Sequence, residues 1–183
     1  MVGFGAAGID LMMRLAVVLI SLVLCGQMFG SQAQAEQTVG AVSGQPVPRF
    51  VSLKSSQTNL REGPSRDHRI AWVFKRAGVP VEVIAEFETW RRIRDSEGSE
   101  GWVLHSMLSG RRTALIAPWS KEASLPVYDF DSADAAAAAR LQPGVLANIE
   151  RCNGQWCRLN GDGFRGWIQQ EKLWGAYPKE DVK

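Results

Sequence analysis

The chain has 183 residues, 21 Lys and Arg against 19 Asp and Glu, and a formal charge of +2. Its only histidines are His68 and His105, and its three cysteines lie at no metal-ligand spacing from them, so no metal centre is expected. Neither histidine has the nucleophile, base and orienting group that a catalytic set requires, which excludes the usual hydrolytic constellations.

The first thirty-five residues read as a processing segment. Arg14 precedes the apolar run Leu15 to Leu24, and Ala33-Gln34-Ala35 follows. A positive charge, a short hydrophobic core and an Ala-x-Ala ending predict a secretory signal peptide, residues 1–35, cleaved after Ala35. The run is shorter than the roughly 20 residues that a spanning helix needs, so no stable membrane span is expected after cleavage. Cys25 follows Leu24, where lipoprotein processing requires a small residue, and is read as part of the discarded signal. The expected location is periplasmic or secreted. Residues 36–48, rich in Gly, Gln, Ser and Pro without periodicity, are expected to be a flexible leader.

From Arg49 onward the chain repeats itself at an offset of 65 to 66 residues. Gly78-Val79-Pro80-Val81-Glu82-Val83 returns as Gly144-Val145-Leu146-Ala147-Asn148-Ile149. Trp90-Arg91-Arg92-Ile93 returns as Trp156-Cys157-Arg158-Leu159, and Gly101-Trp102-Val103 as Gly166-Trp167-Ile168. A repeat implies two copies of one supersecondary design, placed at 49–112 and 113–178 with a tail at 179–183. Units of this size are marginal alone and are expected to pack on each other. The first carries 12 basic and 8 acidic residues and the second 6 and 7, so the first is the better candidate for an anionic partner.

Within each unit the elements are short strands. Val79, Val81, Val83 and Ala85 alternate with Pro80, Glu82, Ile84 and Glu86, which predicts one apolar row toward a core. Glu88-Thr89 and Asn153-Gly154 sit where hairpins must reverse. The run Ala135 to Ala139 has helical propensity, but its counterpart, Ile70 to Phe74, reads as a strand, and the repeat argues for a strand in both. The glycines at 161, 163 and 166 lack the flanking strand and helix of a phosphate loop and are read as hairpin turns. The fold class is therefore all-β: two tandem small barrels.

Cys152 and Cys157 flank Asn153-Gly154-Gln155-Trp156. In an oxidising compartment a structural disulfide across the hairpin is the expected state, with two free thiols as the alternative register. By loop-closure entropy so small a ring stabilises by about 2 kcal/mol.

The order Asn59-Leu60-Arg61-Glu62-Gly63-Pro64, the Gly78 turn with its valine strand, Trp90-Arg91-Arg92-Ile93 and Gly101-Trp102-Val103 resembles a bacterial SH3-like domain. The second unit resembles a degenerate copy, in which Pro126-Val127-Tyr128-Asp129-Phe130-Asp131 replaces the usual opening. With Arg49 to Lys54, Ser109 to Leu115 and Leu173-Trp174-Gly175, the chain resembles a family of exported proteobacterial proteins with two tandem SH3-like domains. The resemblance implies two SH3-like β-barrels; in cell-wall amidases and peptidases such domains supply targeting, while a separate domain supplies the nucleophile. No such domain fits here, so a non-catalytic role without a cofactor is expected.

Trp90, Trp102, Trp156 and Trp167 recur in both units and are expected to close the barrel ends over the core. Trp72, Trp119 and Trp174 are unmatched and freer to be exposed. The candidate ligand-binding residues are Arg61, Trp72, Arg92, Arg111 and Trp119, since an exposed aromatic beside arginines commonly anchors a peptide or glycan. Arg92 and Arg94 are also expected to pair across strands with Glu86 or Glu88. The expected partner is peptidoglycan stem peptide or another envelope peptide. The alternatives are a structural adaptor in an envelope protein complex and an accessory or inhibitor of a cell-wall hydrolase. Export argues against nucleic acid.

Overall fold

The computed structural model describes residues 38–183, and the expected signal peptide and its cleavage site lie outside them. All elements below belong to one compact unit, Glu36–Lys183. A two-stranded hairpin comes first, β1 (Thr38–Val39) on β2 (Pro46–Val47). The first barrel follows with β3 (Arg49–Leu53), β4 (Thr58–Arg61), β5 (Ile70–Phe74), β6 (Pro80–Phe87), β7 (Trp90–Arg94), β8 (Glu100–Leu104) and β9 (Leu108–Ser109). The second is built from β10 (Thr113–Ile116), β11 (Leu125–Tyr128), β12 (Ala137–Leu141), β13 (Leu146–Asn153), β14 (Trp156–Gly161), β15 (Phe164–Gln169), β16 (Leu173–Trp174) and β17 (Asp181–Val182). A single 3-10 turn precedes β9 and another precedes β16.

The two barrels share one strand order. The first runs β5-β4-β8-β7-β6-β3-β9 and the second β12-β11-β15-β14-β13-β10-β16, with β17 added to β13. The fold class expected from the repeat is observed. The alanine-rich run follows the repeat rather than its propensity: Ala137–Leu141 is a strand paired with β11. Each barrel has its own core. Leu60, Val83, Ile93 and Val103 fill the first, and Val127, Ile149, Leu159 and Ile168 hold the matching places in the second.

The repeated glycines have a steric reason. A Cβ on Gly101 would lie 2.8 Å from the carbonyl oxygen of Arg61, and one on Gly166 would lie 2.6 Å from that of Tyr128. Only glycine lets β8 approach β4, and β15 approach β11, closely enough to join the barrel.

Three sequence expectations change in detail. The leader, expected to be flexible over 36–48, is folded from Thr38, because Glu86 draws its turn inward. Glu86 accepts hydrogen bonds from the backbone N–H groups of Val42 and Ser43 and from the Ser43 hydroxyl. The tail, expected to begin at 179, contributes β17, and Val182 is buried beside Cys152. The apolar row of β6 holds at Val81 and Val83 but not at Ala85. A bulge at Ile84 shifts the phase, so Val83 faces Ile93 while Ala85 faces Arg92.

Cys152 and Cys157 are register partners in the β13–β14 hairpin and form the disulfide, with Cα atoms 4.1 Å apart. Asn153 shapes the reversal, its side-chain oxygen accepting hydrogen bonds from the N–H groups of Gln155 and Trp156.

The barrels meet through side chains that the repeat does not share. Trp174 packs edge-on against Phe50, with ring centroids 5.1 Å apart, and its indole N–H donates to the Pro80 carbonyl. The Tyr177 hydroxyl donates to Glu82, and the Thr113 hydroxyl to the Gly78 carbonyl. Arg112 holds the segment above this seam by a two-pronged pair with Glu180 and a bond to the Gly175 carbonyl. Trp174, expected to be free for exposure, is thus half-buried in the seam. The same contact buries Glu82, which the alternation of β6 had placed outward.

Candidate functional site

The first barrel presents a continuous outer row across four strands. Arg61 on β4 is the register partner of Trp102 on β8, which partners Arg92 on β7, which partners Ala85 on β6. Antiparallel partners project to the same side of a sheet, so an aromatic ring lies between two arginines. Phe87, two residues beyond Ala85 and 49% exposed, stands edge-on to Trp102 with centroids 6.5 Å apart. Arg92 pairs with Glu100 at 2.8 Å, and Arg94 with Glu82 at 2.6 Å. The cross-strand pairing expected of these two arginines is present, but with different carboxylates. Glu86 instead turns toward Arg49 and Arg91, at 3.0 and 3.3 Å.

Beside this row lies a groove of about 380 Å³ lined by Gln57, Asn59, Arg61, Arg66, Trp90, Leu104 and Met107. Arg66, in the loop between β4 and β5, forms part of its wall, and Arg61 braces that loop. The guanidinium Nη1 donates to the carbonyls of Arg66 and His68, at 2.9 and 2.6 Å. The ring of His68 lies against Gly63, where any Cβ would collide with it. Of the run from Asn59 to Pro64, Asn59 and Arg61 therefore line the groove, and the arginine is also a brace for the loop that carries Arg66.

The second barrel repeats the row with different chemistry. Tyr128 on β11 partners Trp167 on β15, which partners Arg158 on β14, which partners Arg151 on β13. Arg151 lies over the Trp167 ring, its guanidinium carbon 4.8 Å from the centroid, and Trp167 is only 7% exposed. Glu150 pairs with Arg165 and Arg158, at 2.9 and 3.4 Å. The hydrogen bond from Arg165, first among its causes, holds the Glu150 carboxyl below the usual carboxylate range. A groove of about 360 Å³ lies near Trp156, closed partly by Pro178 and Lys179 of the C-terminal segment.

Of the residues singled out in the sequence, Arg61 and Arg92 come together around Trp102. Arg111 does not join them. It lies near the Gly78 turn, where a Cβ on that glycine would be 3.4 Å from its guanidinium and 3.2 Å from Leu146 of the second barrel. Trp72 is 61% exposed on the edge strand β5, opposite Leu60. Trp119 is 56% exposed in the loop between β10 and β11 of the second barrel, apart from the lining of either groove.

Of the repeated tryptophans expected to close the barrel ends, Trp90 and Trp167 are buried, at 7% each, while Trp102 and Trp156 are partly exposed, and none of the four belongs to either core cluster. Trp102 and Trp167 stand on the outer face, while Trp90 lines the first groove and Trp156 the second. A signal for this was present in the sequence. In Gly101-Trp102-Val103 a period of two puts Gly101 and Val103 on one face and the indole on the other, and Val103 is core.

The sequence pattern of the bacterial SH3 domain matches the chain twice, over residues 54–110 and 121–175. The protein is thus a tandem all-β barrel protein, and it belongs to the bacterial SH3 domain family. Among solved structures, NlpC2 from Trichomonas vaginalis is similar at 12% identity and a TM-score of 0.31, over 69% of this chain and 48% of that one. NlpC1 from the same organism is similar at 13% identity and a TM-score of 0.31, over 76% of this chain and 50% of that one. The chain spans about half the length of these structures. Among curated proteins, none matches the chain at a significant level.

Proposed function

We propose that this protein is a non-catalytic binding module of the bacterial cell envelope, periplasmic or secreted, whose first barrel recognises peptidoglycan stem peptides. One observation carries the reading: the open groove on the first barrel, polar at Gln57 and Asn59, cationic at Arg61 and Arg66, and apolar at Trp90, Leu104 and Met107. That mixture suits a short peptide with free carboxylates and small side chains. Membership of the bacterial SH3 family and the signal-like N-terminus support placing that peptide in the wall. Nothing in the reading calls for a cofactor or a metal.

The exposed Arg66 offers the cleanest perturbation, since its side chain is free of the brace formed by Arg61. Titration with soluble stem-peptide fragments should weaken about tenfold for Arg66→Glu, the factor corresponding to one lost charge-assisted contact and the repulsion that replaces it. Trp119→Ala should bind as the parent does. Equal binding by Arg66→Glu and the parent, both folded by circular dichroism, would remove the groove from the account.

The seam between the barrels favours a second reading, an adaptor whose two units offer one rigid surface to an envelope protein. It differs in outcome: a protein partner is retained, and stem peptides are not bound.

A further inference from the structure

The internal repeat provides a comparison within one molecule. In the second barrel, the outward tryptophan is covered by a guanidinium from the strand two places away in its sheet: Arg151 over Trp167 at 4.8 Å. In the first barrel, the residue in that place is Ala85. The assignment is geometric. Ala85 pairs with Arg92 and Arg151 with Arg158, each after a one-residue bulge, at Ile84 and Glu150. The covering side chain is thus reduced to a methyl group, and Trp102 keeps part of its surface exposed where Trp167 is buried. Phe87, whose counterpart is Asn153, supplies a second aromatic wall at 80° to the Trp102 ring.

We propose that Trp102, Phe87 and Ala85 form a binding site for a cationic group on a peptide, a guanidinium or alkylammonium that takes the place Arg151 fills in the second barrel. A cation over an indole face is attracted by the ring quadrupole, and a second ring at a right angle adds to that attraction. The neighbouring arginines do not forbid it. Arg92 is tied to Glu100 at 2.8 Å, and the Arg61 guanidinium donates to the carbonyls of Arg66 and His68. The second barrel shows the same tolerance, because Arg151 lies beside Arg158 while Glu150 neutralises the latter. Ala85 leaves room for a ligand, where Arg151 makes the equivalent site self-occupied.

This site rests on the first barrel being the binding unit, but not on the cell wall being the source of the ligand, and its test can be kept separate. The full-length protein, labelled with nitrogen-15, is titrated with acetyl-Gly-Arg-Gly amide, its Lys analogue and its neutral citrulline analogue, while the indole N–H signals of Trp102 and Trp167 are followed. The Arg and Lys peptides should bind at Trp102 about fivefold more tightly than the citrulline peptide, the advantage expected of a partly exposed cation–π contact. Ala85→Arg should abolish the response at Trp102 by filling the site from within. Arg151→Ala should create a matching response at Trp167, which keeps the test intact should the first variant fold poorly. Equal response to citrulline, or a Trp102 response that survives in folded Ala85→Arg, overturns the proposal. Stem-peptide titration of the parent and of the same variants reports separately on the groove: a parent that binds stem peptides but shows no preference at Trp102 for the Arg and Lys peptides over citrulline rejects this site alone.

Discussion

Glu86→Gln should destabilise the protein by about 3 kcal/mol and release the segment before Arg49, an effect of the size seen when one partner of a buried ion pair is removed. Glu86 has a side chain only 2% exposed and faces Arg49 and Arg91 as well as the turn at residues 42 and 43. Desolvation, the largest single influence, works to raise its pKa. The Ser43 hydroxyl and backbone, Arg49 and the Val42 N–H together outweigh it, and the carboxyl falls to about 2. A carboxyl whose folded pKa is depressed stabilises the fold fully above its unfolded pKa, near 4.5, and loses that contribution as pH falls toward 2. Urea unfolding between pH 7 and pH 2 should therefore show a drop in the parent below about pH 4.5 that is smaller in Glu86→Gln. Amide exchange at residues 38–47 should rise in the variant at neutral pH. Parallel pH profiles with unchanged exchange would show that Glu86 does not hold this segment.

Trp174→Ala should cost about 3 kcal/mol and uncouple the two barrels, consistent with truncation of a large aromatic at a packed contact. The indole meets Phe50 edge-on and donates to the Pro80 carbonyl, so the substitution removes ring packing and a hydrogen bond that bridge the seam. Phe50 also meets Tyr177, with centroids 4.7 Å apart, and Tyr177 reaches Glu82. Burial, followed by the hydrogen bond to Glu82, pushes the Tyr177 hydroxyl well above the usual tyrosine range, so it remains a donor at any ordinary pH. Each barrel has its own core, so loss of the seam should leave two cooperative units rather than none. The parent should unfold in one transition and Trp174→Ala in two, with the second barrel retained longer where its disulfide is intact. One transition at the parent midpoint would mean that the seam is incidental.

The barrels were legible from the sequence because the repeat carries the determinants of the fold. Gly101 and Gly166 permit the close strand approach, and Val83, Ile93 and Val103 have apolar counterparts at every matching core place. The hairpin disulfide was legible for a local reason: a turn of four residues leaves its flanking cysteines opposite each other. The site was less so. The bulge at Ile84 reverses the face on which Ala85 lies, and alternation alone cannot reveal an inserted residue. Arg61 is a chemically plausible ligand contact in a string of letters. Its partners, the carbonyls of Arg66 and His68, are backbone atoms that no residue type announces. The seam was hidden for another reason, since Trp174 meets Pro80 and Tyr177 meets Glu82 across more than ninety residues of chain.

The central claim is that the folded unit binds the cell wall through its basic first barrel. Its most direct test is co-sedimentation of Glu36–Lys183 with purified peptidoglycan sacculi across a range of salt. Saturable retention that weakens as salt rises is the predicted result, because arginine contacts to stem-peptide carboxylates near the surface are screened beyond about 10 Å at 0.1 M salt. Absence from the pellet at every salt concentration, for protein shown to be folded, would contradict it.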